Sequence, residues 1–181
     1  MVADPVTGVL ERLVRDVPDF PEPGVLFKDI MPLLADHEGL RTVVDALAAV
    51  GRDHAGEVVV DKVIGMESRG FILGAPVALA LGVGFVPARK PGKLPGERLS
   101  VSYALEYGEA TLEIQKDALQ QGERVLVVDD VLATGGTAAA TAELVRRAGA
   151  RVAAMAFLME LSFLRGREAV AGEQVTALLT V

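Results

Sequence analysis

The chain has 181 residues, of which 51% are hydrophobic, and its formal net charge is −7. A chain of this length and composition can bury one sizeable core, so we expect a single domain over residues 1–181. The acidic balance argues against nucleic-acid partners, and the absence of cysteine excludes a disulfide framework and a thiolate site. No apolar stretch reaches the roughly 18 residues of a membrane span and the N-terminus lacks a signal-peptide pattern, so a cytoplasmic location is the expectation.

Strand and helix patterns alternate along the chain in the manner of βαβ units. Helices are predicted over residues 7–16, 36–50, 70–81 and 138–148, and strands over residues 58–64, 83–88, 125–128, 151–158 and 175–180. Residues 100–105 and 109–114 should pair as a hairpin, whereas the proline-rich, glycine-rich and charged segment 90–99 is typical of a mobile loop. The pattern predicts an α/β fold with a central, mostly parallel twisted sheet flanked by helices.

The stretch from Arg124 to Thr137 combines a buried strand, two acids and a glycine-rich turn. Residues 125–128 form a continuous apolar run, and Asp129 and Asp130 follow at the carboxyl end of the strand, where open α/β sheets bind ligands. Backbone N–H groups of the small residues 133–137 can converge on an anion at the start of the next helix. The stretch predicts a site for a phosphorylated sugar, with the phosphate in the turn and the hydroxyls at the acids.

Other interpretations of this stretch fit the residues less well. No lysine follows Gly136, as a nucleotide P-loop requires, and Gly135-Gly136 does not make a dinucleotide fingerprint. A purely structural strand-to-helix turn remains the alternative, although two adjacent acids at a buried edge are costly without a partner.

Two further motifs have a chemical interpretation. In Gly65-Met-Glu-Ser-Arg-Gly70 the glycines allow unusual backbone angles and the amides can face an anion; the alternative is a helix start with a surface arginine. Prolines and a glycine make residues 21–30 irregular and expose Phe27 as a stacking platform for a flat base. From the residues alone, an equally favoured interpretation is that Phe27 anchors the N-terminal helix to the core.

In order and spacing, these motifs resemble the type I phosphoribosyltransferases, and among them the enzymes that act on adenine. The resemblance extends over residues 20–30, 65–71, 89–96, 103–108 and 113–118, and covers nearly the whole chain. It implies transfer of a phosphoribosyl group from phosphoribosyl pyrophosphate (PRPP) to adenine, which gives AMP and pyrophosphate in purine salvage. It also implies a homodimer, the type I phosphoribosyltransferase fold, a small N-terminal hood of about residues 1–35 and a flexible catalytic loop and hairpin at about residues 90–108.

The resemblance assigns the donor substrate to several segments. The 5′-phosphate and ribose would bind Asp129, Asp130, Ala133, Thr134, Gly135, Gly136 and Thr137. The pyrophosphate would bind Glu67, Ser68, Arg69, Arg89, Lys90 and Lys93, with a cis peptide bond between Glu67 and Ser68. Mg²⁺ would be the cofactor and would be held mostly by the substrate. Neither Asp129 nor Asp130 is a certain direct ligand, and both would contribute through ribose hydroxyls or water.

The resemblance assigns the base to a second set. Phe27 would stack on adenine, and the backbone groups of Leu26 and Lys28 would bind its Watson–Crick edge. Glu106 would be the catalytic residue that takes the purine proton, and Tyr107 would close the site. Lys28 stands where many members of the family carry arginine. This difference affects only a bidentate side-chain role and leaves the backbone contacts as expected.

Two alternatives in function stay open at this point. One is a transferase for a 6-oxopurine or a pyrimidine. The other is a non-catalytic regulator that senses PRPP. A DNA-binding regulator would need an added basic module, for which the chain has neither the length nor the charge.

Overall fold

The computed structural model describes residues 5–104 and 108–181, which contain five α-helices and nine strands. The helices are α1 Pro5–Leu13, α2 Met31–Ala35, α3 His37–Ala49, α4 Arg69–Leu81 and α5 Gly136–Arg147. The strands are β1 Arg15–Pro18, β2 Leu26–Asp29, β3 Lys62–Met66, β4 Gly84–Ala88, β5 Arg98–Ala104, β6 Glu109–Gln115, β7 Arg124–Leu132, β8 Arg151–Glu160 and β9 Val175–Thr180. Two short 3-10 turns, Ser162–Leu164 and Gly166–Glu168, lie between β8 and β9.

Five strands form the central sheet, in the order β4-β3-β7-β8-β9, and every neighbouring pair is parallel. This confirms the predicted α/β class and the central parallel sheet. The chain passes from β3 to β4 on one side and later returns to place β7 on the other side of β3. The strand order therefore reverses between β3 and β7, and ligands of open α/β sheets bind at the carboxyl ends of the strands beside such a reversal.

Apolar clusters cover both faces of the sheet. One cluster joins the sheet to α5 and the β5-β6 hairpin, and the other joins it to α1, α3 and α4. Within β7, Val125 and Val127 pack in the first cluster, while Leu126 and Val128 pack in the second. All four side chains are fully buried, as the continuous apolar run predicted for a strand covered on both faces.

The N-terminal prediction is partly wrong. The predicted helix over 7–16 ends at Leu13, and Arg15–Pro18 instead forms a strand that pairs antiparallel with Leu26–Asp29. Part of the segment 21–30, which we expected to be irregular, is thus a strand. An ion pair of 2.5 Å between Arg15 and Asp29 joins the two strands, a contact between distant residues that local periodicity does not reveal.

The predicted strand over 58–64 is also displaced. It begins only at Lys62, because Val58 pairs with Arg52 in an isolated bridge and the Val59 N–H donates to the Gly51 carbonyl at 2.9 Å. Strands β7 and β8 run further than predicted, so that Asp129 and Asp130 lie within β7. Helix α5 begins at Gly136, two residues before the predicted start.

The predicted hairpin is present as β5 and β6, paired in register from Arg98 with Gln115 to Ala104 with Glu109. Leu105, Glu106 and Tyr107 lie outside the described residues. Residues 90–97 contain neither helix nor strand, as their composition indicated. None of the helices in the described part of the chain has the length and apolarity needed to cross a membrane.

An ion pair fastens the start of β3 to the start of β7. Asp61 accepts hydrogen bonds from the Arg124 backbone N–H at 2.8 Å and from its guanidinium at 2.8 and 3.0 Å. The hydrogen bonds from the Arg124 side chain are the main cause that lowers the pKa of Asp61 to about 2. The fold therefore stabilises the carboxylate form.

Asp61→Asn should lower the free energy of unfolding by roughly 1 kcal/mol at neutral pH, because charge-assisted hydrogen bonds are lost at a partly exposed site. The lowered pKa means that this stabilisation is complete above the ordinary value of 3.8 and is lost as the pH falls through about 2. Urea denaturation at about pH 7 and about pH 3 should show a difference between wild type and variant that narrows in acid.

The control is Asp45→Asn, at an exposed position of α3, which should change the unfolding free energy by less than about 0.5 kcal/mol at both pH values. An Asp61→Asn difference that stays constant with pH would contradict the role of the ion pair.

Candidate active site

A cleft of about 500 Å³ opens at the carboxyl ends of β3 and β7, where the strand order reverses. Five segments line it: residues 25–28 of the β1-β2 hairpin, which we name the N-terminal ribbon, the β3-α4 turn, Lys90 after β4, the end of β7 with the turn that follows, and the end of β8. Of the predicted site residues, it brings together Leu26, Phe27, Lys28, Glu67, Ser68, Arg69, Lys90, Asp129, Asp130, Ala133 and Thr137. Segments distant in sequence therefore meet at one cavity, as expected for carboxyl ends of parallel strands.

The two adjacent acids occupy different surroundings. Asp130 is only 6% exposed and forms an ion pair with Arg69, the first residue of α4. Asp129 accepts the Asp130 N–H at 2.9 Å, and a Cβ atom at Gly70 would lie 2.7 Å from its Oδ1. Burial, followed by the neighbouring charge of Asp130, raises the pKa of Asp129 well above its ordinary value. A half-buried carboxyl beside a second carboxyl is stabilised by hydroxyl donors or by a cation, which fits the predicted contact with ribose.

The glycine-rich turn encloses a smaller cavity of about 70 Å³ beside the cleft. Gly135 adopts the left-handed conformation, with φ at 83°, and caps α5 without a side chain. The cavity is lined by Thr134, Gly135, Gly136, Thr137 and Ala138, so that the first turn of α5 lies at its wall. Helix N-termini of this kind favour anions, since their first N–H groups lack partners within the helix.

The sequence reasoning missed a segment that supports this turn from behind. A Cβ atom at Gly166 would collide with the Ala133 carbonyl oxygen, and one at Gly135 would collide with the Gly166 carbonyl oxygen. Arg167 binds both carboxylate oxygens of Glu160 at 2.9 Å and thereby holds the segment against the end of β8. No motif in residues 162–168 predicts this contact, because it joins their backbone to that of residues 133–135, which lie about 30 positions earlier in the chain.

The β3-α4 turn contains a cis peptide bond between Glu67 and Ser68, as the resemblance implied. The Glu67 carboxylate accepts the Lys90 N–H at 2.9 Å and the Arg89 Nε at 3.3 Å. These contacts, the Lys90 hydrogen bond most strongly, lower the pKa of Glu67. The carboxylate therefore ties the basic segment that follows β4 to the turn that contains Ser68.

The predicted basic residues differ in their positions. Arg69 and Lys90 line the cleft, whereas Arg89 lies behind Glu67 with its guanidinium 5.7 Å from the centre of the Phe71 ring. Lys93 is exposed on the segment after β4 and is absent from the residues that line the described part of the cleft. Two of these four cations therefore face the cavity directly.

The N-terminal ribbon contributes residues 25–28 to the other side of the cleft. Phe27 is partly buried and packs edge-to-face on Phe20, with ring centres 5.1 Å apart. The Lys28 ammonium binds the Asp16 carboxylate at 2.6 Å, so that its side chain holds the ribbon together and its backbone remains beside the cleft. Apolar lining that we did not predict comes from Val131, Met159 and Leu161. Residues 159 and 161 lie at the carboxyl end of β8, the strand next to β7, and this position could have predicted their place in the cleft.

The predicted catalytic residue Glu106 and the closing residue Tyr107 lie outside the described residues. Strand β5 ends at Ala104, close to the glycine-rich turn. In the same strand, the Tyr103 hydroxyl lies 3.0 Å from the Thr137 hydroxyl, and its ring would contact a Cβ atom at Gly136. The β5-β6 hairpin therefore contacts the glycine-rich turn.

Comparison with known proteins identifies the family. The phosphoribosyl transferase domain family matches residues 33–169. The chain is 70% identical to an adenine phosphoribosyltransferase of Nocardioides sp. over 169 residues, or 93% of this chain and 91% of that protein. It is 59% identical to the adenine phosphoribosyltransferase of Streptomyces coelicolor over 97% of this chain and 98% of that protein.

Solved structures agree with the sequence relatives. The adenine phosphoribosyltransferase of Thermoanaerobacter pseudethanolicus superposes with a TM-score of 0.90 at 47% identity, over 97% of this chain and 99% of that chain. The enzyme of Saccharomyces cerevisiae, solved in complex with adenine and an imino-altritol bisphosphate, superposes with a TM-score of 0.91 at 43% identity, over 96% of this chain and 98% of that chain. The chain belongs to the adenine phosphoribosyltransferase family.

Proposed function

We propose that the cleft transfers the phosphoribosyl group of PRPP to N9 of adenine, which forms AMP and releases pyrophosphate in purine salvage. One observation carries the proposal: a single cleft joins the paired acids, the β3-α4 turn and the aromatic ribbon, and the anion-binding turn adjoins it. Membership of the family supports the same reaction.

The donor binds at the end of β7. The 5′-phosphate occupies the small cavity formed by Thr134, Gly135, Gly136 and Thr137, where the helix N-terminus and the threonine hydroxyls donate to it. The ribose hydroxyls donate to Asp129 and Asp130. The raised pKa of Asp129 supports this contact, because hydroxyl donors relieve the repulsion between two adjacent carboxylates.

The pyrophosphate binds between the β3-α4 turn and the segment after β4, with Ser68, Arg69 and Lys90 as its ligands. Arg69 contacts Asp130, so one guanidinium lies between the predicted ribose and pyrophosphate positions. A planar guanidinium can donate to both groups at once. Glu67 contributes by holding Arg89 and Lys90 in place rather than by direct contact with an anion.

Mg²⁺ would enter with PRPP and neutralise the leaving pyrophosphate. Within the described residues, there is no group of three or more His, Asp or Glu side chains that could hold a metal ion by itself. The donor set that fits is Asp129 and Asp130, which would contact the ion through ribose hydroxyls or water, with the substrate oxygens as the main ligands.

Adenine would stack on Phe27 and be read by the backbone of Leu26 and Lys28. Pro18, which pairs with Leu26 in the ribbon, has no N–H to donate, so the Leu26 carbonyl receives no hydrogen bond from its pairing partner. A carbonyl acceptor binds a 6-amino group and rejects a 6-oxo group, which favours adenine over hypoxanthine. The roles of Glu106 as the group that takes the purine proton and of Tyr107 in closure stay predictions, as do the hood and loop division and the cytoplasmic location.

We also propose a homodimer formed through α4. Leu79 and Ile72 on this helix are 82% and 45% exposed, and one helical face carries both. A helix that is apolar on its buried face and on its exposed face is typical of an interface.

The reaction is tested by incubating the purified protein with PRPP and Mg²⁺ together with adenine, hypoxanthine, guanine or orotate, and by measuring nucleotide formation by chromatography. We expect AMP from adenine, at least about a hundredfold slower turnover with the 6-oxopurines because their oxygen meets a carbonyl, and no product after chelation of the metal. Equal rates with hypoxanthine would contradict the base assignment. Binding of PRPP without any turnover would favour the sensor.

Gly166→Ala should raise the KM for PRPP by about tenfold or more, because the added methyl displaces the Ala133 carbonyl and distorts the phosphate turn. The KM for adenine should change by less than about twofold, since the ribbon is not displaced. Gly8→Ala is the matched control, because a Cβ atom there meets nothing within 4 Å. An unchanged KM for PRPP in folded Gly166→Ala would show that the segment behind the turn has no part in donor binding.

Leu79→Lys should convert the dimer into a monomer, because a charged side chain in an apolar interface has no partner. Size-exclusion chromatography with light scattering measures the mass. The control Ala49→Lys introduces the same charge at an exposed position of α3 and should leave the dimer intact. A dimeric Leu79→Lys protein would rule out α4 as the interface.

A further inference from the structure

One sequence motif has no part in the roles above. Residues 113–117, Glu-Ile-Gln-Lys-Asp, lie at the end of β6 and directly after it, where they face the segment that connects β4 to β5. The Glu113 residue is only 8% exposed, although charged side chains are seldom buried without a partner. Its surroundings therefore indicate a function for this carboxylate.

Glu113 holds the segment that follows β4, residues 89–98, which ends at the first residue of β5 and which we name the basic loop. One carboxylate oxygen accepts the Gly92 N–H at 3.2 Å and lies 3.9 Å from the Arg98 Nε, and the other accepts the Ser100 hydroxyl at 3.1 Å. The backbone adds two hydrogen bonds between Glu113 and Arg89, of 2.8 and 2.7 Å. Both ends of the basic loop therefore contact a single residue of β6.

The rest of the motif contacts the far side of the same loop. The Lys116 N–H donates to the Glu97 carbonyl at 3.0 Å, and the Lys116 ammonium contacts the Glu97 carboxylate at 2.8 Å. The Gln115 amide donates to the Pro95 carbonyl at 3.4 Å. The carboxylates of Glu97 and Glu113 differ in one respect that matters for a test: the side chain of Glu97 is 78% exposed, and that of Glu113 is 10% exposed.

The basic loop leads directly into the site. Its first two residues, Arg89 and Lys90, donate to Glu67 beside the cis peptide bond, and Lys90 lines the cleft. The position of Lys90 relative to Ser68 thus depends on how residues 89–92 are held. Glu113 holds them through its backbone at Arg89 and through its side chain at Gly92.

We propose that Glu113 is a positioning residue for pyrophosphate binding: it sets the conformation of the basic loop and does not itself touch substrate. A buried carboxylate requires several donors. The Ser100 hydroxyl and the Arg98 guanidinium come from the paired strand β5, and the Gly92 N–H completes the set only when the loop has this conformation. The inference rests on the proposed function for the identity of the anion that Lys90 contacts. The attachment of the loop itself does not depend on that function.

The first test is steady-state kinetics of AMP formation with Glu113→Gln and with the control Glu97→Gln. The glutamine presents an NH₂ group to donors that need an acceptor, so the loop loses its single conformation. We expect Glu113→Gln to raise the KM for PRPP about fivefold or more and to change the KM for adenine less than about twofold, while Glu97→Gln behaves as wild type because exposed ion pairs contribute little.

The second test needs no activity. Trypsin can cleave the basic loop after Lys93, and mass spectrometry identifies the fragments. Cleavage should be about fivefold faster or more in Glu113→Gln than in wild type or Glu97→Gln, because an unfastened loop opens more often. Ser100→Ala removes one donor while Glu113 remains, and it should shift both measurements in the same direction by less. If Glu113→Gln does not fold, Ser100→Ala tests the role of Glu113 in holding the basic loop.

The outcomes separate the two ideas. Wild-type protein that makes no AMP would contradict the proposed function, while the cleavage rates would still test the loop. AMP formation with unchanged KM for PRPP and unchanged cleavage in Glu113→Gln would overturn the role of Glu113. A uniform fall in kcat with no change in either KM, accompanied by a lower melting temperature, would also overturn it, because it would indicate structural support alone.

Discussion

The parallel pairing of β3 with β7 is the constraint on which the site depends. The two strands run in register from Lys62 with Val125 to Gly65 with Val128, so their carboxyl ends arrive side by side. Asp129 and Asp130 then lie next to the β3-α4 turn, and the Arg69 contact with Asp130 joins the two ends. Hydrogen bonding within the sheet thus sets the distance in space between groups that are far apart in sequence. Arg69 and Asp130, for example, are in contact although they are 61 positions apart in the chain.

Much of the fold follows from local sequence pattern, because the central strands are buried on both faces and helices α1 and α3 are amphipathic. The continuous run at 125–128 and the alternating hairpin therefore predicted their elements correctly. The failures at residues 15–18 and 58–61 share one physical cause, which is pairing with another segment of the chain. Arg15–Pro18 becomes a strand only because Leu26–Asp29 pairs with it, and residues 58 and 59 pair with residues 51 and 52 before the chain joins the sheet.

The site was predictable to the extent that it consists of contiguous motifs. The acids, the glycine-rich turn, the cis peptide bond and the aromatic ribbon each occupy one short segment and fall where the motifs indicated. The sequence did not reveal contacts between separate segments. These are the contact of Gly166 with the glycine-rich turn, the hydrogen bond of Glu67 to the basic loop, and the apolar lining from Met159. These depend on the distance between elements, which only the assembled sheet determines.

The close approach of Gly135 and Gly166 restricts which substitutions these two positions can tolerate. Neither glycine has room for a single methyl group: a Cβ atom at Gly135 would collide with the Gly166 carbonyl, and one at Gly166 would collide with the Ala133 carbonyl in the same turn. A change at one position cannot be compensated by a smaller residue at the second, since both are already minimal. A redesign of this turn to admit a larger side chain or ligand would have to shift residues 133–135 and residues 165–167 together.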